Sequence, residues 1–380
     1  MKIIRTLFLV LILIFPFGQL TRIPLGISSV NFYFQDIIIV LFVFSWLILC
    51  FLKKKKLVLP PLAKPIFGFI SIAFISWTLN AYQYSTQEAI IAFLYLLRWI
   101  FYAGVYFVVS DLVRFSRDSI DRLLIGAGVV SAIIGLLQYI FLHDTRFLYY
   151  SGWDDHYYRI IGAFLDPGFT GLIYVLALIL IVKKCKTKKS IYYLLFAICY
   201  LAMSLTYSRA SFLAYLVGMA VIAWFKKSWQ FFTVVFLVLA VTIILLPRPA
   251  GEGVKLERQS SVQARVGSFN NVLKIIKDNP ILGVGFNFYR YAQRDYGFSG
   301  EDWQVSHAGA GVDSSLFFVW VTTGIFGLIA YLWLLWRMVK LYPVSLLAVI
   351  SHSFFNNSLF YSWIMLWLWI LLGIKENKKE

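Results

Sequence analysis

Apolar residues run through this chain in continuous blocks. They are separated by short polar knots such as KKKK at 53–56 and KKCKTKK at 183–189. Each block is about as long as the ~20 residues that carry an α-helix across a bilayer. Lipid offers no water to a free N–H or carbonyl, so every such block must close its own hydrogen bonds as a helix. Twelve spans are expected, roughly over 4–20, 36–52, 66–82, 89–110, 123–142, 161–182, 190–207, 210–225, 230–246, 315–336, 343–359 and 360–374. The first is short and holds Pro16, which invites a signal-peptide reading. No small-residue cleavage site follows it and Asp36 opens another apolar span, so it is read as a helix.

Composition agrees with lipid as the main solvent: 61% of the 380 residues are hydrophobic, 19% aromatic and only 14% charged. The expected class is an all-α polytopic membrane protein, one integral membrane domain over 1–380. The net charge of +17 raises the question of nucleic acid, but its placement argues against that partner. If both termini are cytoplasmic, most of the Lys and Arg fall in short loops on that side, as the positive-inside rule requires. Two long stretches then face outward: 143–160, and 247–314 before the last three helices. The second is longer than an ordinary connection and too aromatic to read as disordered. Cys50, Cys185 and Cys199 lie in or beside spans with no metal-like spacing and read as packing residues.

Within the second outer stretch, residues 265–277 read as an amphipathic helix. Val266, Phe269, Val272, Leu273 and Ile276 share one face, and Lys274 and Lys277 point away. Arg265 falls on the apolar face, where a guanidinium requires an anionic partner. Asp278, Asn279 and Pro280 end the helix. The Gly-Val-Gly at 283–285 lacks the strand, the third glycine and the helix of a dinucleotide site, so it reads as a tight turn.

Other polar residues carry two readings each. Arg209, in TYSRASF, sits at the outer junction of two spans as a snorkelling anchor or a functional cation. Arg98 lies deeper, as a functional charge or a structurally paired one. His143 and His156 belong to the first outer loop, where an exposed histidine is commonly inert; His307 lies in the second. His352 and Asn356 would share a helix face for interhelical hydrogen bonding. Asp166, followed by Pro167, has the signature of a helix N-cap. Asp313 is placed to cap the tenth span, at the outer face after a Gly-rich approach. Arginines suit a diphosphate, whose oxygens they bind in pairs, and the Tyr and Trp of YYSGWDDHYY suit sugar faces.

Three stretches together carry a resemblance: SRASFLAYLVG, then RVGSFNNVLKIIKDNPILGVGFNFY, then DSSLFFVWVTTGIFGLIAYL. The chain resembles the O-antigen ligase and polymerase superfamily of bacterial envelope enzymes, which have about a dozen helices and one long outer loop late in the chain. Its most specific part is the block at Arg265, Pro280, Gly283 and Gly285. In that family a His-Asn pair commonly closes the outer loop. Counting back from Gly324 and Gly327, this chain has Asp313 and Ser314 at those positions.

The resemblance implies glycosyl transfer at the outer face of the cytoplasmic membrane, from a polyprenyl diphosphate-linked glycan to a sugar hydroxyl on a glycan or lipid-glycan acceptor. Arg265 and Arg209, then Arg290, are the expected diphosphate-binding residues. Asp313 is the expected base, ahead of His307. Membrane lipids surround the chain; no cofactor, no metal and no nucleic acid are expected. An O-oligosaccharyltransferase acting on protein, or a polysaccharide flippase, are the alternatives.

Overall fold

In a computed structural model, residues 2–23, 31–54, 59–112, 117–185, 190–249, 251–300, 303 and 311–374 are described. They form α1 (Lys2–Ile14), a two-stranded β1–β2 ribbon (Arg22–Ile23 with Phe32–Tyr33), α2 (Phe34–Leu52), α3 (Ala63–Asn80), α4 (Thr86–Leu112) and α5 (Arg117–Phe141). There follow α6 (Pro167–Lys184), α7 (Ser190–Ser204), α8 (Arg209–Lys226), α9 (Trp229–Leu245), α10 (Ser260–Asp278) and α11 (Tyr289–Asp295). The chain closes with α12 (Ser315–Leu341), α13 (Pro343–Ser353) and α14 (Ser362–Gly373).

Among the described residues, eight segments are long and apolar enough to cross a membrane: those of α1 to α6, α8 and α12. Shorter apolar helices, α7, α9, α13 and α14, stand at the other four expected positions. The protein is thus a multi-pass, all-helical membrane protein. Several boundaries differ from the periodicity. The first span breaks at Pro16 into a 3-10 turn over Phe15–Thr21, because proline removes a donor inside the helix. The sixth begins only at Pro167, after the 3-10 turn Gly162–Phe164 and Asp166. The eleventh stops at Ser353, and a 3-10 turn over Ser358–Phe360 occupies its expected end.

Two helices form the centre. From Thr170 to Val182, α6 is buried on every side, and α14 is buried from Ser362 to Gly373. A helix apolar all round has no solvent-facing stripe and must be enclosed. Around them α13 packs on α8, α7 and α5 on α6, α14 on α4, and α12 on α3. By contrast α9 buries only Leu239. Phe231, Val235 and Ile243 are half-buried against the core, and most of its other apolar side chains face the surroundings, as suits a rim helix in lipid. The three cysteines are free, with Cys50 and Cys199 buried as packing residues.

The described residues between α9 and α12 are held by two anchors. α10 lies against α12, with the Phe269 ring tilted against Phe317 at 5.2 Å and Val272, Ile275 and Ile276 buried. Val266 and Leu273, expected on the packed face, are exposed, and Ile275 takes the inward position. Arg265 is one or two turns from Phe269 and Val272 on that inward side. Next, the Pro-Ile-Leu-Gly-Val-Gly segment docks into a break in α12 at Gly324, where φ is 64°. There Ile325 N–H donates to the Pro280 carbonyl at 3.0 Å, and the Ser76 hydroxyl donates to the carbonyls of Leu282 (2.6 Å) and Thr322 (2.8 Å). α11 is tied to the α3–α4 hairpin by Arg294 with Glu88 and by Tyr84 stacked on Phe288 at 4.3 Å.

Candidate active site

A cavity of about 490 Å³ opens where the β1–β2 ribbon, the 153–159 segment, the N-terminal ends of α6, α8, α12 and α14, and the middle of α4 converge. α6 and α8 each run from this cavity, at Pro167 and Arg209, to a lysine at the far end, Lys184 and Lys226. The cavity is therefore at the bundle end opposite those lysines.

Its inner wall is a closed polar network. Arg98 pairs with Asp36 at 2.9 Å, and Asp36 also accepts from the Tyr102 hydroxyl (2.9 Å) and the Tyr33 N–H (3.0 Å). The second of these is half of a capping box that starts α2. The Tyr33 hydroxyl donates to Gln19 at 2.8 Å, whose amide donates to the Phe164 carbonyl at 2.9 Å. Of the two readings of Arg98, the paired one is what the structure shows.

The outer wall is different. Arg159, Arg209, Arg258 and Arg265 all line the cavity. Arg159 donates to the Thr206 carbonyl at 3.0 Å, and Arg258 to the carbonyls of Gly253 (2.9 Å) and Lys255 (2.8 Å). Arg209 donates to the carbonyls of Leu256 and Arg258 at 3.1 and 3.3 Å. Main-chain carbonyls thus hold these three guanidiniums in place. Among the described residues no carboxylate forms an ion pair with Arg159, Arg258 or Arg265. Burial lowers Arg159 to about 9, with Arg258 adding to the effect and Asp166 and Asp154 opposing it. Arg258 is lowered by burial and then by Arg209 and Arg265. Such shifts record the cost of crowding cations away from water, a cost that an anionic ligand would remove.

Three carboxylates face the same space: Asp154, Asp166 and Asp313. Asp166 is engaged as the N-cap of α6, accepting the Phe169 N–H at 2.8 Å, as its sequence signature indicated. Asp313 does not cap α12. Ser314 holds the N-cap position with no side-chain bond, and the Asp313 side chain borders the cavity instead. Burial raises the Asp313 carboxyl above its ordinary range; Arg265 opposes this and Asp154 adds to it. Asp154 is raised by burial and by Asp155, with Arg159 opposing.

Arg209, Arg265 and Asp313 are thus brought to one cavity. Arg290, on α11, is not among its lining residues, and His307 lies outside the described residues. His156, expected to be an inert loop histidine, does line the cavity. Burial, Arg159 and Arg258 pull it down to about 3, so it is neutral at pH 7. His352 is fully buried, 2.6 Å from the Ser358 hydroxyl and 3.5 Å from that of Ser211. Because α13 ends at Ser353, Asn356 shares no helix face with it and lines the cavity. Arg159, Arg258 and Asp154 were not singled out in the sequence. Their only signal was a charged side chain within the two long polar stretches, 143–160 and 247–314.

Residues 194–332, from α7 to within α12, match the family model described as O-antigen ligase. That segment is similar to the O-antigen ligase and polymerase superfamily. No curated protein matches the chain. The match supports membrane glycan transfer of the ligase or polymerase type in general. The matched segment supplies Arg209, Arg258, Arg265 and Asp313. The cavity is completed from outside it by Asp154, His156, Arg159, Asp166 and Asn356.

Proposed function

We propose that this chain transfers a glycan from polyprenyl diphosphate to a sugar hydroxyl at the outer face of the cytoplasmic membrane. The observation that carries the reading is the group of four arginines around one cavity, with main-chain carbonyls as the hydrogen-bond partners of three of them. A lipid diphosphate brings two negative phosphoryl groups to headgroup depth, and the forked donors of arginine match them.

In the step itself the acceptor oxygen forms a bond to the anomeric carbon while that carbon's bond to the diphosphate oxygen breaks. The bonding pair leaves on the diphosphate, and the hydroxyl proton passes to the carboxylate of Asp313. Charge grows on the diphosphate as the bond breaks. Donors already aimed at it therefore contribute most, each worth about 10²–10³ in rate. A base beside the hydroxyl adds roughly 10²–10⁴. Arg265 and Arg209 hold the diphosphate, Arg159 and Arg258 complete the cation wall, and the polyprenyl tail extends toward the bilayer. Twelve crossings with both termini cytoplasmic put this cavity outside, in keeping with the lysines at the far ends of α6 and α8.

The test replaces Arg265 and Arg209 singly with alanine, with membrane levels matched, and follows envelope glycan and lipid-linked precursor. Loss of product with precursor accumulating on the outer leaflet supports transfer. Precursor stranded on the inner leaflet would point to transport across the membrane instead, and normal glycan with normal precursor would end the proposal.

A further inference from the structure

The same cavity has a wall the donor diphosphate does not explain. Trp153, Asp154 and His156 line it from the segment between α5 and α6. That segment is held firmly. Thr145 donates to the His156 carbonyl through its N–H (3.0 Å) and its hydroxyl (2.9 Å), and Tyr158 N–H donates to the His143 carbonyl at 2.9 Å. The Trp153 N–H donates to the Leu148 carbonyl at 3.2 Å. At the far end Ile160 N–H reaches the Leu205 carbonyl at 3.0 Å, and Gln138 accepts from Ile161 N–H at 3.0 Å. The side chains facing the cavity are therefore presented by a braced backbone.

Their chemistry is unlike that of the arginine wall. Trp153 offers a flat aromatic surface, His156 an uncharged imidazole, and Asp154 a carboxylate with no hydrogen bond to any described residue. Asp166, the neighbouring carboxylate, is occupied by its helix cap, whereas Asp154 borders open space. A carboxylate repels a diphosphate. It accepts hydrogen bonds from neutral hydroxyls, and charge-assisted bonds of this kind are stronger than neutral ones. An aromatic face beside it packs the C–H surface of a pyranose ring. Asp154 lines the same cavity as Asp313, whose carboxyl its charge helps to raise.

We propose that Trp153 and Asp154 form the acceptor-sugar subsite, Trp153 stacking on the ring and Asp154 holding a hydroxyl next to the one that attacks. The ligand class is a neutral pyranose with free vicinal hydroxyls. This rests on the glycosyl-transfer reading above, and it assigns Asp154 to binding while the proton goes to Asp313.

The experiment uses the full-length protein in detergent with two probes: polyprenyl diphosphate for the donor site, and glycan fragments released from the host envelope as competing acceptors. Asp154→Asn and Trp153→Ala should bind polyprenyl diphosphate within about twofold of the unaltered chain. They should also need about 10- to 100-fold more fragment to reach half-maximal transfer, the loss expected for one charge-assisted hydrogen bond. Trp153→Phe should recover most of the acceptor affinity, which a merely structural defect would not allow. If Asp154→Asn weakens polyprenyl diphosphate binding as Arg265→Ala does, or leaves the acceptor dependence unchanged, the subsite assignment is overturned. If Arg265→Ala itself leaves polyprenyl diphosphate binding intact, the donor reading fails instead.

Discussion

Val284 donates its N–H to the Val321 carbonyl at 2.9 Å, joining the turn after α10 to the middle of α12 across the break at Gly324. A Cβ on Gly283 would lie 2.5 Å from that same Val321 oxygen, and one on Gly324 would overlap the Ile281 carbonyl. Gly324 also has φ 64° and ψ −165°, a region almost closed to other residues. Gly324→Ala is therefore expected to cost about 3 kcal/mol or more, from backbone strain and overlap together. Thermal unfolding in detergent checks it. An unchanged midpoint would mean that the helix break is not needed for docking.

Arg265 and Arg209 separate binding from architecture. Arg209 holds two carbonyls of the 256–258 turn, whereas Arg265 has no hydrogen bond or ion pair with any described residue and has Arg258 and Asp313 as neighbours in charge. Arg209→Ala should lose about 1 kcal/mol of stability for each carbonyl bond removed. Arg265→Ala should leave the unfolding midpoint of the free protein unchanged but abolish its rise on adding polyprenyl diphosphate, because ligand stabilisation follows occupancy. Transfer should fall by about 10²–10³, with Arg265→Lys restoring only part of it, since a point charge lacks the fork. Full stabilisation by the ligand in Arg265→Ala would contradict its place in the donor site.

The pH dependence follows from Asp313. A base acts only when ionised, and burial raises this carboxyl. Transfer should therefore decline as pH falls through a value above the ordinary carboxylate range, and Asp313→Asn should remove that limb together with most of the rate. Stability moves the other way. With the folded pKa raised, the contribution is present below the unfolded value and is lost as pH rises through the folded one. Asp313→Asn is then not expected to destabilise the protein at neutral pH. A retained acid limb in that variant would assign the base elsewhere.

The long apolar helices were legible because lipid forces closed hydrogen bonding on any run of sufficient length, and that is a local property. Their ends were less so: Ser353 ends α13 although apolar residues continue past it. Arg265 was visible as a cation on an apolar helix face, a pattern carried within a single element. Arg159 and Asp154 were not, because nothing in a 143–160 loop specifies that it folds beneath residues 253–258, where a Cβ on Gly253 would meet the Arg159 side chain at 2.7 Å. Asp313 showed two roles in sequence, and the choice between them depended on the backbone at Ser314, which only tertiary packing fixes.

The Asp36–Arg98 pair gives the last prediction. Asp36 is buried and Arg98 largely so, and Asp36 serves Tyr33 and Tyr102 as well as Arg98. Removing one partner leaves a charge stranded in low dielectric, and such losses run to about 3–5 kcal/mol. Asp36→Asn should thus be severely destabilising, because it leaves Arg98 uncompensated. Arg98→Met should cost less, since the Tyr102 hydroxyl and the Tyr33 N–H still satisfy the carboxylate. The double variant strands neither charge, so its loss should be smaller than the sum of the single losses by about 1–3 kcal/mol, a coupling measurable by unfolding all four proteins in one detergent. Strict additivity would show that the pair is not a unit. Arg98 also lines the cavity, yet Asp36 already neutralises it, so Arg98→Met should keep polyprenyl diphosphate binding where Arg265→Ala loses it. Loss of binding in Arg98→Met would extend the cation wall to the inner side of the cavity.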